Sequence, residues 1–164
     1  MLFITSMRLF IQRVSQATVT VENNIAGEIG RGFLVLCGFK KDDTLTTLSK
    51  IVEKCLNLRV FEDDRGKMNL SLLDISGELL IVSQFTLYAN CRKGRRPAFD
   101  NSMPPDKAEK MYEHLINEFR KSGLKVESGI FGAKMDISLI NNGPVTIMLD
   151  DDRLFKSKQT SHQE

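Results

Sequence analysis

A chain of 164 residues, 41% hydrophobic and 27% charged, has the size and composition of one ordinary globular domain, long enough to bury about 70% of its unfolded surface. This excludes a second domain and a fibrous or disordered bulk, and a formal charge of +2 is too small to announce nucleic-acid binding by itself. No apolar run approaches the roughly 20 residues of a membrane span, and MLFITSM lacks the basic start and cleavage site of a secretory signal, so a soluble cytoplasmic protein is expected.

Taken in order, residues 1–6 form an N-terminal extension, and the domain is expected over 7–150. Arg8 to Val14 and Ala17 to Glu22 alternate and are rich in Val, Ile, Thr and Phe; Asn23-Asn24 then supplies a turn before Ile25 to Ile29, a hairpin signature. Phe33 to Phe39 is continuously apolar and reads as a strand buried on both faces. Asp42 or Asp43 is placed to cap a helix in which Leu45, Leu48, Ile51, Val52, Cys55 and Leu56 recur at helical spacing. Arg59 to Phe61 is a short strand, Glu62 to Lys67 a charged turn, and Met68 to Leu73 an extended piece. Leu79 to Asn90 reads as the central strand. Cys91 to Asp100 is a basic loop, and Pro104-Pro105-Asp106 opens a second helix to about Lys121, stopped at Gly123. Val126 to Gly129 and Met135 to Leu149 complete the sheet, with 151–164 a flexible C-terminal tail. The expected fold is a single mixed α and β domain, an antiparallel or mixed, barrel-like sheet with two main helices.

Chemistry concentrates in few places. In LLIVSQFTLYAN the apolar run Leu79 to Val82 gives way to Ser83, Gln84, Phe85 and Thr86, polar groups delivered where a buried strand enters a cleft. They could equally satisfy neighbouring backbone groups in a core strand. Asn141-Asn142-Gly143-Pro144 separates two apolar runs, and on the residues alone it is a hairpin turn whose Gly-Pro bond can be cis or trans. Arg92, Lys93, Arg95 and Arg96 put four cations into six residues, either a solvated loop or a phosphate contact. Cys37, Cys55 and Cys91 show no CxxC spacing, so no disulfide framework, zinc site or other metal is indicated. Neither His114 nor His162 sits in the context of a catalytic base. Nucleotide-loop, metalloprotease and EF-hand patterns are absent.

SQFTL followed about sixty residues on by NNGPVT is, as a pair, a specific signature, and with it the chain resembles the D-aminoacyl-tRNA deacylase family. MRLFIQRVSQATVTV, GEIGRGFLVLCG, LRVFEDDRGKMNLSL, RKGRRPAF and SGIFGAKM add matches in the right order from about Met7 to Asp150. The resemblance implies hydrolysis of the ester joining a D-amino acid, or glycine, to the terminal ribose of tRNA, without a cofactor. It implies a homodimer in which a cis Gly143-Pro144 reaches into the partner's pocket and rejects L-aminoacyl groups. Arg13 would fix that segment, Phe131 and Met135 would line the pocket for the terminal adenosine, and Arg92, Lys93, Arg95 and Arg96 would meet tRNA phosphates. Neither a membrane nor DNA is an implied partner.

Two hydrolytic routes remain open. Thr86 could be a nucleophile, although the sequence offers it no evident base. Alternatively Ser83, Gln84 and backbone N–H groups near Phe85-Thr86 polarise the ester carbonyl while the ribose 2′-hydroxyl helps activate water. A non-catalytic module binding aminoacyl-tRNA or another RNA 3′ end is the competing class of function.

Overall fold

A computed structural model describes residues 7–150 and 154–155; the extension at 1–6 and nearly all of the tail lie outside the described residues. The first strand organises the rest. β1 (Arg8–Val21) is one continuous 14-residue strand, where sequence spacing suggests two. Its pattern breaks at the exposed Ser15-Gln16, where the register against the last strand shifts between Val14 and Gln16. The irregularity has a packing consequence, because it reverses which side chains face which way. Leu9 and Ile11 join the large core cluster, whereas Val14, Ala17 and Val19 belong to the smaller one.

β2 (Asn24–Ile29) pairs antiparallel with the second half of β1, and β3 (Gly32–Gly38) with its first half. α1 (Leu45–Asn57) then covers the sheet with Leu48, Ile51, Val52, Cys55 and Leu56. Its N-cap is Thr44, not Asp42 or Asp43; the Asp43 carboxylate instead accepts the Lys40 N–H at 2.6 Å. Leu45, which the spacing assigns to the buried face, is exposed because it opens the first turn. β4 (Phe61–Glu62) and β5 (Met68–Leu70) form a separate two-stranded hairpin, shorter than the extended pieces expected.

β6 (Glu78–Ser83) runs parallel to β3, and β7 (Val126–Ser128) parallel to β6, so the sheet is mixed. Between them α2 (Pro105–Arg120) buries Ala108, Met111, Tyr112, Leu115, Ile116 and Phe119. β8 (Asp136–Asp150) returns antiparallel along nearly all of β1. With β2 also packed against β6 and β7, the sheet curls toward a barrel. Alternate residues of β3 and β6 serve two cores: Phe33, Val35, Leu79 and Ile81 face the helices, and Leu34, Leu80 and Val82 face inward.

The expected hairpin at Asn141–Pro144 does not exist. Gly143-Pro144 is cis and lies within β8, where the partners jump from Val14↔Asn141 to Gln12↔Thr146. The intervening residues bulge out opposite Arg13. Turn-forming residues mark a departure from the ladder without saying whether the chain reverses.

Candidate active site

β6 ends because its parallel partner ends. The last rung pairs Cys37 with Ser83, and the Gln84 N–H donates to the Cys37 carbonyl at 2.7 Å. The chain then leaves the sheet as a 3-10 turn, Phe85–Tyr88, so the strand expected through Asn90 stops at Ser83. Gly38 permits the close packing: a Cβ there would lie 3.0 Å from the Gln84 carbonyl oxygen and 3.1 Å from Leu87 Cβ. The turn buries Tyr88 and leaves Phe85 59% exposed. Thr86 is also exposed, and the Gln84 amide donates to its hydroxyl. In a 3-10 turn the first N–H groups, here those of Phe85 and Thr86, have no acceptor within the turn.

Beside this turn opens a cavity of about 590 Å³ lined by Cys37, Val82, Ser83, Gln84 and Phe85 on one wall. Phe99, Ser102, Met103 and the α2 N-terminus (Pro104, Pro105, Ala108) form another, and Phe131, Gly132, Ala133, Met135 and Ile137 a third. The lining is mostly apolar, with Ser83, Gln84 and Ser102 as polar points, a composition suited to holding a flat organic ligand in one orientation. Phe85 meets Phe99 edge-on with centroids 5.0 Å apart, and Ser102 Oγ donates to the Phe85 carbonyl at 3.3 Å. The third wall is fixed by Tyr112, whose hydroxyl lies 2.7 Å from the Ile81 carbonyl oxygen and whose ring stands 5.9 Å from that of Phe131. Burial raises the Tyr112 pKa, so the hydroxyl stays a donor. Burial likewise pushes the Cys37 thiol well above the ordinary thiol range, which makes it a poor nucleophile.

The second predicted constellation lies elsewhere. Asn142, Gly143 and Pro144 are on the β8 bulge, with Gly143 and Pro144 exposed, and they do not line the cavity of their own chain. Arg13 beneath them is only 5% exposed; its Nε donates to the Asn142 carbonyl at 2.7 Å and its Nη1 to the Val60 carbonyl at 2.5 Å. A buried guanidinium thus staples the bulge to the segment before β4. The structure therefore joins Arg13 to the Gly-Pro segment and keeps both apart from Ser83, Gln84 and Phe85.

Arg92, Lys93, Arg95 and Arg96 are all exposed, on a loop pinched shut by reciprocal Asn90–Ala98 backbone hydrogen bonds of 2.8 and 3.0 Å. The loop follows the 3-10 turn and ends at Phe99, so it joins two segments that contribute Phe85 and Phe99 to the cavity walls. Among predicted residues, Ser83, Gln84, Phe85, Phe131 and Met135 share the cavity, while Thr86 lies beside it. Sequence reasoning misses Ser102 and Met103 as wall residues. Their signal is nonlocal: the Met103 N–H donates to the Phe39 carbonyl, tying this stretch to β3. His114 sits on the exposed face of α2, away from these walls.

The family model described as D-Tyr-tRNA(Tyr) deacylase matches residues 10–150. A D-aminoacyl-tRNA deacylase of Thermosipho africanus is 56% identical over 149 residues, spanning 91% of this chain and all of the relative. Among solved structures, the c-Myc DNA Unwinding Element Binding Protein superposes with a TM-score of 0.81 at 43% identity, covering 87% of this chain and 97% of its own. A probable eukaryotic D-amino acid tRNA deacylase shares the fold, with a TM-score of 0.78 at 22% identity over 88% of this chain and 99% of its own. The match spans the SQFT turn, the cavity walls and the β8 bulge together, and on that breadth the chain belongs to the D-aminoacyl-tRNA deacylase family.

Proposed function

We propose that this chain hydrolyses the ester of D-aminoacyl-tRNA, and of glycine carried on tRNA, in the cavity at the end of β6. The observation that carries the reading is the placement of Ser83 and Gln84, a polar pair on the wall that meets the exposed 3-10 turn, in one cavity with Phe131 and Met135. The terminal adenosine would lie against Phe131 and Met135, where stacking on an aromatic contributes about 1–3 kcal/mol. The ester carbonyl would then face Ser83, Gln84 and the N–H groups of Phe85 and Thr86, donors that stabilise the oxyanion of the tetrahedral intermediate. Water attacks that carbonyl, helped by the ribose 2′-hydroxyl, and free amino acid and tRNA leave. No cofactor enters the scheme.

Thr86 is a positioning group in this mechanism. Its hydroxyl accepts from Gln84, no histidine lies among the described residues of the cavity walls, and a hydroxyl without a base is a weak nucleophile. Chirality is read by the β8 bulge of a second copy: Gly143 and Pro144 are exposed on a rigid staple and outside their own chain's cavity, the arrangement a site completed across a homodimer requires. The cytoplasm, where tRNA is charged, is the proposed location. Family membership favours this chemistry over a module that only binds RNA.

The deciding experiment is single-turnover deacylation of matched D- and L-aminoacyl-tRNA by the native chain and by Thr86→Ala. Thr86→Ala should lower D-specific hydrolysis but keep it measurable, because the reaction does not pass through a Thr86 ester. A trapped acyl-Thr86 ester, or complete loss with intact tRNA binding, would transfer catalysis to a Thr86 nucleophile.

A further inference from the structure

The 3-10 turn carries the proposed oxyanion donors, and its two ends are closed by Leu87 N–H to the Gln84 carbonyl at 3.2 Å and Ala89 N–H to the Thr86 carbonyl at 3.0 Å. A side chain from β1 spans the gap to the sheet. Arg8 is the first residue of β1, paired in register with Gly38 of β3 on one side and Asp150 of β8 on the other. Its Nη1 donates to the Leu87 carbonyl at 2.8 Å, its Nε to Asp150 Oδ2 at 3.1 Å, and its guanidinium lies 4.7 Å from the centroid of the Tyr88 ring. Asp150 is only 6% exposed. A planar fork fixed by a buried carboxylate and stacked on an aromatic has little freedom, so it defines where Leu87 sits. A cation is also favoured at the C-terminal end of a helical turn, where carbonyls lack intrahelical donors.

We infer that Arg8 is a positioning residue for hydrolysis: it locks the Phe85–Tyr88 turn to the ends of β1 and β8 and thereby aims the N–H groups of Phe85 and Thr86. This rests on the reading that the Ser83–Thr86 segment holds the reacting ester. Because displacement of an aligned group by about 1 Å can cost on the order of 100-fold in rate, loss of the clamp should act on turnover.

Arg8→Ala is expected to lower kcat for D-aminoacyl-tRNA by about 10–100-fold with KM nearly unchanged. Hydrogen exchange at the Leu87 and Ala89 amides should rise while exchange in α1 and α2 stays native, and added ethylguanidinium should restore part of kcat. Arg8→Lys keeps the charge toward Asp150 but loses the fork, so it should show the same split in milder form and serves if the alanine variant does not fold. Unchanged exchange at Leu87 and Ala89 in either folded variant would overturn the clamp. Raised exchange with native kcat would also overturn the inference, and would locate the error in assigning catalysis to the Ser83–Thr86 segment.

Discussion

At Gly143 the backbone holds φ at +143°, and a Cβ would come within 2.9 Å of Arg13 Nη2 and 3.0 Å of the Val145 nitrogen. Neither neighbour yields easily, since Arg13 is buried and stapled at both ends and Val145 N–H donates to Asn141 Oδ1 at 2.8 Å. Gly143→Ala should therefore destabilise the chain by about 1–3 kcal/mol and displace the bulge, lowering D-aminoacyl hydrolysis while leaving the cavity formed. Urea denaturation followed by deacylation assays checks both parts; native stability with native activity would mean that the bulge accommodates a side chain and does not read the substrate. Residue roles are legible in proportion to how local their partners are. Ser83 and Gln84 announce themselves as polar residues interrupting an apolar strand. Arg13 acquires a role in the sequence only through family resemblance, because its partners Val60 and Asn142 lie 47 and 129 positions away. Arg8 gives no signal at all, its hydrogen-bond partners being 79 and 142 positions distant.

Among elements, the two helices are readable because their apolar spacing is internal to each, whereas strand limits depend on neighbours. Leu79 to Asn90 looks like one strand since Phe85, Leu87 and Tyr88 continue its apolar character; the ladder stops at Ser83 only because β3 stops at Gly38. The β8 bulge reads as a turn for the same reason, as its continuity is dictated by β1. The basic loop is legible as a loop, and its attachment between the wall residues Phe85 and Phe99 gives it a testable role. Replacing Arg95 and Arg96 by Gln should weaken tRNA binding and flatten the slope of log K against log salt by about 1.4–1.8, from roughly 0.7–0.9 for each phosphate no longer neutralised. Hydrolysis at saturating tRNA should stay near native. An unchanged slope would make the loop a solvated turn, and equal competition by single-stranded DNA would show that it reads phosphate alone.

For the whole molecule, separation of the Gly143-Pro144 bulge from its own cavity leads to a complementation test. Gln84→Ala damages the cavity and Gly143→Ala the bulge, so neither homodimer should have a working site. Refolding the two together should return about a quarter of the native sites to the mixture, since about half of its dimers are mixed and each mixed dimer has one site built from the intact cavity of one protomer and the intact bulge of the other. Failure to recover activity, with mixed dimers demonstrated, would place both elements in one chain's site. The architecture also bears on how the protein is made. Among the described strands β1 is made first and β8 last, and the rung joining them closes a loop of 142 positions. Pairings so distant along the chain slow folding, because the entropy of closure is lost before pairing returns anything. During synthesis β1 must therefore wait with one edge open until β8 leaves the ribosome, an interval in which its exposed hydrogen-bonding edge invites pairing with other chains.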